Sequence, residues 1–173
     1  MAQLLNEAKL ATLLVDLLTS EEEAVDLRTA QLRFDIGLLA ERLVGVTDWV
    51  ARAPETQQLR LGYFGASTGA GAALVAAAER PEAVGAVVSR GGRPDLAGWV
   101  RAPTLLIVGG NDVQVIALNR AALAQLRREK QLVIVPGATH LFEEPGALDQ
   151  VALLARDWFE RHLAQEEVPE GRE

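Results

Sequence analysis

Apolar residues fall in short runs separated by polar or glycine-rich gaps, and the spacing within each run predicts an element. After a short helical start at 2–8, the run LATLLVDLL (10–18) is rich in strand formers and predicts a strand near 11–16. The stretch SEEEAVDLRTAQLR (20–33) is polar and reads as a loop, partly helical. From Asp35, a suitable N-cap, the residues Ile36, Leu39, Leu43, Val46 and Val50 recur at three- and four-residue spacing and predict a helix. A strand follows at 59–64, then an Ala-rich helix at 68–79 stopped by Pro81. Strands at 83–89, within 102–110 and at 131–137 alternate with helices at 115–130 and 146–164.

The strands lack a clean alternation of apolar and polar positions, which suits strands covered on both faces. Strand–helix units in this order predict an α/β fold, a three-layer α/β/α sandwich with a mostly parallel sheet and right-handed crossovers. No internal repeat is present. With 173 residues and a hydrophobic fraction of 49%, the chain reads as a single domain over 1–165. The tail 166–173, EEVPEGRE, carries four glutamates and is expected to be disordered.

Composition removes several classes of chemistry. Without cysteine there is no disulfide, thiolate metal site or cysteine nucleophile. Two histidines, His140 and His162, are too few for a histidine-rich metal site, so neither a metal nor another cofactor is expected. A net charge of −7 and the lack of any long Lys/Arg run argue against nucleic acid as a partner. No apolar stretch is long enough to span a bilayer, and residues 1–20 do not form a signal peptide, so a cytoplasmic protein without a membrane partner is expected.

Sites in open parallel sheets gather beyond the carboxyl ends of the strands. Three such ends carry reactive side chains. Ser67 lies in GYFGASTGAG (62–71), between Gly65 and Gly69, where a strand turns into a helix. That setting suits a nucleophile: glycines relieve the crowding of a strained turn and lift the hydroxyl above the sheet. The following helix end offers the Thr68 N–H to an oxyanion. Asp112 follows a strand in VGGNDV (108–113), and His140 follows the last strand in VPGATHLF (135–142). The order Ser, Asp, His is that of an α/β-hydrolase triad.

Other side chains read as less specific. GASTGAG lacks the second glycine of a dinucleotide fingerprint and the lysine of a phosphate loop. The runs Glu21–Glu23 and Glu143–Glu144 read as solvated faces, and His162 as surface or helix-end decoration. Trp158 and Phe159 read as core, and Arg90 and Arg93 as loop arginines more in solvent than on a substrate.

Together, GYFGASTGAGAAL, VVSRGGRPDLAG, APTLLIVGGNDV and VPGATHLFEEPG resemble the dienelactone hydrolase-like branch of the α/β-hydrolase superfamily, over residues 4–164. The resemblance implies Ser67 as nucleophile, Asp112 as acid, His140 as base and the Thr68 amide as one oxyanion donor. Members of the family proper often carry a cysteine nucleophile. With serine here, the resemblance implies a serine hydrolase acting on a small carboxylic ester or lactone through an acyl-enzyme, not dienelactone specificity. A non-catalytic remnant serving as a binding or oligomerisation module is the alternative.

The resemblance also implies three strands ahead of the opening helix. The third lies in mid-sheet and ends in a His-Gly type loop that supplies the other oxyanion N–H. Met1 falls inside or just before that helix, and nothing in residues 1–58 replaces the strand or its loop. An N-terminally shortened fold is therefore expected, short of one oxyanion donor at a cost of about 10²–10³ in rate. An exposed sheet edge would then favour a homo-oligomer. No inserted cap domain is evident, which predicts an open site.

Overall fold

A computed structural model describes residues 1–94 and 99–164. The elements run α1 (Ala2–Glu7), α2 (Ser20–Thr29), a 3-10 turn (Leu32–Phe34), α3 (Ile36–Val50), β1 (Leu61–Ala66), α4 (Thr68–Glu79), β2 (Val84–Arg90), β3 (Thr104–Gly109), α5 (Val113–Gln125), β4 (Lys130–Val135) and α6 (Ala147–Leu163). The four strands form one sheet in the order β1-β2-β3-β4, and every pairing is parallel. The tail expected to be disordered lies outside the described residues.

Three layers follow from how the strands distribute their side chains. Val87 and Leu106 point to one face, into a cluster with Val44 of α3, Leu74 of α4 and Ala122 of α5. Their neighbours Val88, Leu105 and Ile107 point to the other, against Leu5 of α1 and Val151, Ala155, Trp158 and Phe159 of α6. All six residues of β3 are buried, so its unbroken apolar run reflects two covered faces. Helix α4 is rich in Ala and Gly, and Ala70 through Leu74 are all buried. Small side chains let this helix lie close on β1 and β2 while packing α3 on its other side. Among the described residues, no helix is long and apolar enough to cross a membrane.

Two expectations for residues 1–58 need correction. Residues 10–16 form no strand. Leu10 packs with the α6-side core, and Leu17 and Leu18 pack against the cluster of Leu39, Ala40 and Ala72 on the opposite face. The segment between therefore carries the chain from one face of the sheet to the other, and leaves Leu13 56% and Leu14 81% exposed. A strand needs a hydrogen-bonded neighbour, and no backbone bond joins 11–16 to β1 among the described residues. Strand-forming sequence without a partner strand stays irregular.

Residues 20–29, expected as a loop with partial helix, form a complete helix. The reason is a capping box: the Glu22 N–H donates to Thr19 Oγ1 at 3.3 Å and the Thr19 N–H donates to Glu22 Oε2 at 2.8 Å. Arg42 of α3 also grips the Glu22 carboxylate and holds it below the usual carboxylate range. Elsewhere boundaries move by a few residues. Helix α5 stops at Gln125 instead of running on to 130, because Leu126 is already extended and β4 starts at Lys130.

Candidate active site

Ser67 sits between β1 and α4 with φ 50° and ψ −119°, a conformation that side-chain-bearing residues rarely adopt. Three backbone bonds hold it there. Its N–H donates to the Arg90 carbonyl at the end of β2 (2.9 Å), and its own carbonyl accepts from Ala70 N (3.1 Å) and Gly71 N (3.3 Å). The two flanking glycines are not equivalent. A Cβ on Gly65 would lie 2.5 Å from the Gly69 carbonyl oxygen and 2.6 Å from the Ala70 Cα, whereas a Cβ on Gly69 would meet nothing within 4 Å. Steric need explains Gly65 alone.

This difference has a testable consequence. Gly65→Ala is expected to cost about 1–3 kcal/mol, because backbone must move to admit the methyl group. Gly69→Ala, in the first turn of α4, is expected to be neutral or to stabilise by about 0.5–1 kcal/mol. Thermal unfolding of the two variants beside the parent separates them.

The loops after β3 and β4 are fastened to one another before they present their side chains. Gly110 N donates to Val135 O, Asn111 N to Ala138 O, and Asn111 Nδ2 to Gly137 O. Gly109 lets the His140 loop lie directly over the end of β3, since a Cβ there would come within 2.5 Å of the Ala138 and Thr139 carbonyl oxygens. Asp112 occupies the N-cap position of α5 yet makes no side-chain cap bond. Its Oδ2 instead lies 2.6 Å from His140 Nδ1. His140 Nε2 lies 3.3 Å from Ser67 Oγ. The structure thus brings Ser67, His140 and Asp112 into one hydrogen-bonded line. Asp112 is 15% exposed in its side chain and His140 41%, so the pair is open to solvent on the histidine side.

Thr68 is the first residue of α4. Its N–H belongs to the unsatisfied first turn and finds no acceptor among the described residues, which leaves it able to bind an anion. A cavity of about 490 Å³ opens beside Ser67. Phe34, Ile36, Leu74 and Val115 give it apolar walls, and His140 and Arg93 close its polar side. No group of three or more acidic or histidine side chains that could hold a metal occurs among the described residues.

Some side chains depart from their sequence reading. His162 is no surface decoration: its side chain is 10% exposed, 4.4 Å from the Trp158 ring by centroids, and burial lowers its pKa. Trp158 and Phe159 are buried as expected. Glu143 is exposed, but Glu144 Oε1 accepts from Thr139 N at 3.0 Å, and hydrogen bonds from Thr139 hold its carboxyl below the usual range. Phe34, which the sequence reading does not single out, and Ile36, read as an apolar position of the helix, wall the cavity; nothing in their spacing signals that. The Arg90 guanidinium turns back onto the His140 loop, and part of the loop after Arg93 (95–98) lies outside the described residues.

No family model matches the chain. Two Mycobacterium tuberculosis proteins, from strains CDC 1551 / Oshkosh and ATCC 25618 / H37Rv and both named "Putative phosphoribosyl transferase", are 61% identical over 166 residues. The match covers 94% of this chain but only 37% of theirs, so the chain spans little more than a third of the curated relatives. The crystal structure of a dienelactone hydrolase from Anabaena variabilis is 68% identical with a TM-score of 0.91, covering 94% of this chain and 77% of that one. A dienelactone hydrolase-like promiscuous phosphotriesterase from metagenomic libraries shares the fold at 16% identity and a TM-score of 0.74, over 92% of this chain and 78% of its own. The 68% identity to the Anabaena protein, over 94% of this chain and 77% of that one, places this chain in the dienelactone hydrolase-like branch of the α/β-hydrolase superfamily.

Proposed function

We propose that the chain is a serine hydrolase that cleaves a carboxylic ester or lactone through an acyl-enzyme. The observation that carries the reading is the line from Asp112 Oδ2 through His140 to Ser67 Oγ, at 2.6 and 3.3 Å. In this reading Ser67 Oγ attacks the carbonyl carbon while His140 Nε2 takes the hydroxyl proton. Asp112 accepts the Nδ1–H, fixes the tautomer and stabilises the imidazolium. The Thr68 N–H donates to the oxyanion. Collapse expels the alcohol, which takes the proton from His140; in a lactone it stays tethered to the acyl group. Water activated by His140 then releases the acid and restores Ser67.

The apolar walls of the cavity suit the hydrocarbon part of a small ester. Dienelactone, named for the Anabaena protein, is one lactone to assay, beside short-chain p-nitrophenyl esters. The phosphoribosyl transfer named for the mycobacterial proteins fits this site poorly, because the sequence has neither a phosphate loop nor clustered cations at Ser67. Labelling of the wild-type chain by a fluorophosphonate probe tests the hydrolase reading; a folded chain that labels no better than its Ser67→Ala variant refutes it.

A second reading, an oligomerisation module, draws support from the outer edge of β1. Among the described residues that strand pairs with β2 alone, and its six residues carry neither charge nor proline to protect the edge. Self-association through this edge is expected to give a dimer or larger species by native mass measurement. A stable monomer across the accessible concentration range would refute it.

A further inference from the structure

Arg90, the last residue of β2, reaches both sides of the site. Its main-chain carbonyl accepts from Ser67 N at 2.9 Å and so helps to hold the strained turn. Its guanidinium Nη1 donates to the Leu141 carbonyl at 3.3 Å, and its Cζ lies 5.2 Å from the centroid of the Phe142 ring. Phe142 is fully buried and has φ 57°, an unfavourable backbone conformation for a bulky residue. It persists only where surrounding contacts impose it.

On the other flank, Thr139 N is held by Glu144 Oε1. Both neighbours of His140 are therefore fastened, one within its own loop and the other to the strand that also anchors Ser67. Burial pushes the Arg90 pKa below its ordinary value, so the side chain is partly withdrawn from water to make these contacts.

Resting on the hydrolase reading above, we propose that Arg90 is a positioning residue, whose guanidinium fixes the His140 loop relative to Ser67 and so sets the approach of Nε2 to Oγ. A displacement of about 1 Å at reacting groups is enough to cost about 10² in rate. The guanidinium is suited to the task because it donates in plane to a carbonyl while its face covers an aromatic ring. An ammonium can donate to the carbonyl or sit over the ring, but it lacks the planar fork that does both at once.

The test uses the full chain with Arg90→Met and Arg90→Lys. Both keep the main-chain carbonyl that serves Ser67. Arg90→Met is expected to lower kcat on a short-chain p-nitrophenyl ester by about 10² with KM near the parent value, and Arg90→Lys to recover part of the loss. The low-field proton resonance of His140 Nδ1–H is expected to be sharp in the parent and to broaden in Arg90→Met. Parent-like kcat together with an unchanged resonance in Arg90→Met would overturn the proposal. So would losses in both variants that merely track the unfolded fraction.

If Arg90→Met does not fold, Arg90→Lys is read in its place, and a parent-like resonance and kcat there, with Phe142 no longer covered, would also overturn it. If the parent hydrolyses no ester and takes no fluorophosphonate, the hydrolase reading fails. The His140 resonance then decides the positioning role alone.

Discussion

Ser67→Ala is expected to abolish fluorophosphonate labelling and to lower ester turnover by up to about 10⁶, the scale lost when a triad serine is removed. The size follows from the geometry. Ser67 Oγ is the one hydroxyl in line with His140 Nε2, and alanine leaves that nitrogen with nothing to deprotonate except water. The fold should not suffer. Ser67 makes no side-chain cap bond to α4, and the bonds that hold its strained backbone come from main-chain groups that alanine retains. Unfolding curves that superpose, with turnover gone, would separate chemistry from structure. Residual turnover close to the parent would sink the mechanism.

The second large effect is expected from Asp112→Asn. The carboxylate accepts from His140 Nδ1 at 2.6 Å and so keeps the proton on that nitrogen, leaving Nε2 free to accept from Ser67. An asparagine can turn its amide N–H toward Nδ1 and stabilise the opposite tautomer, in which Nε2 already carries a proton. Loss of about 10⁴ in kcat is the scale of that change in a serine triad. Stability should move by no more than about 0.5 kcal/mol, since Asp112 contributes no cap bond to α5 and asparagine is a good N-cap residue. Steady-state kinetics with a pH profile checks it: the loss should persist from neutral to alkaline pH, because the ratio of the two neutral tautomers does not depend on pH. A variant with parent activity at neutral pH would contradict the assigned role of Asp112.

The geometry of these two side chains was legible in the sequence because local signals and fold-level signals agreed. Ser67 stands in a glycine pattern at the end of an apolar strand, and Asp112 and His140 each follow one of the last two strands, in the right order. Parallel sheets deliver all such ends to one side, so three residues 73 positions apart at most are brought together by topology alone. Arg90 and Glu144 were not legible in the same way. Their work is done on backbone groups of the His140 loop, and no spacing in a sequence records which carbonyl a side chain will reach.

The misreadings have physical causes as well. Residues 10–18 carry strand-forming side chains, but strand formation is a property of pairs, and propensity says nothing about a missing neighbour. The helix over 20–29 has little apolar periodicity, so only its ends announce it. Thr19 and Glu22, three apart, are that announcement, and a search for capping boxes would have found the helix that periodicity missed. His162 was assigned to the surface by residue type, although Trp158 four residues earlier already marked that stripe of α6 as core.

Phe34 and Ile36 belong to the 3-10 turn and the start of α3, outside the sheet that carries Ser67, Asp112 and His140. Phe34 is 64% exposed and so has little part in folding energy. In the proposed hydrolase, part of the cavity wall therefore lies on a stretch of chain separate from the residues assigned to the reaction. Drift or selection at 32–36 can reshape what enters the cavity without disturbing the strand ends, which makes this short turn the economical place to seek altered selectivity by directed evolution.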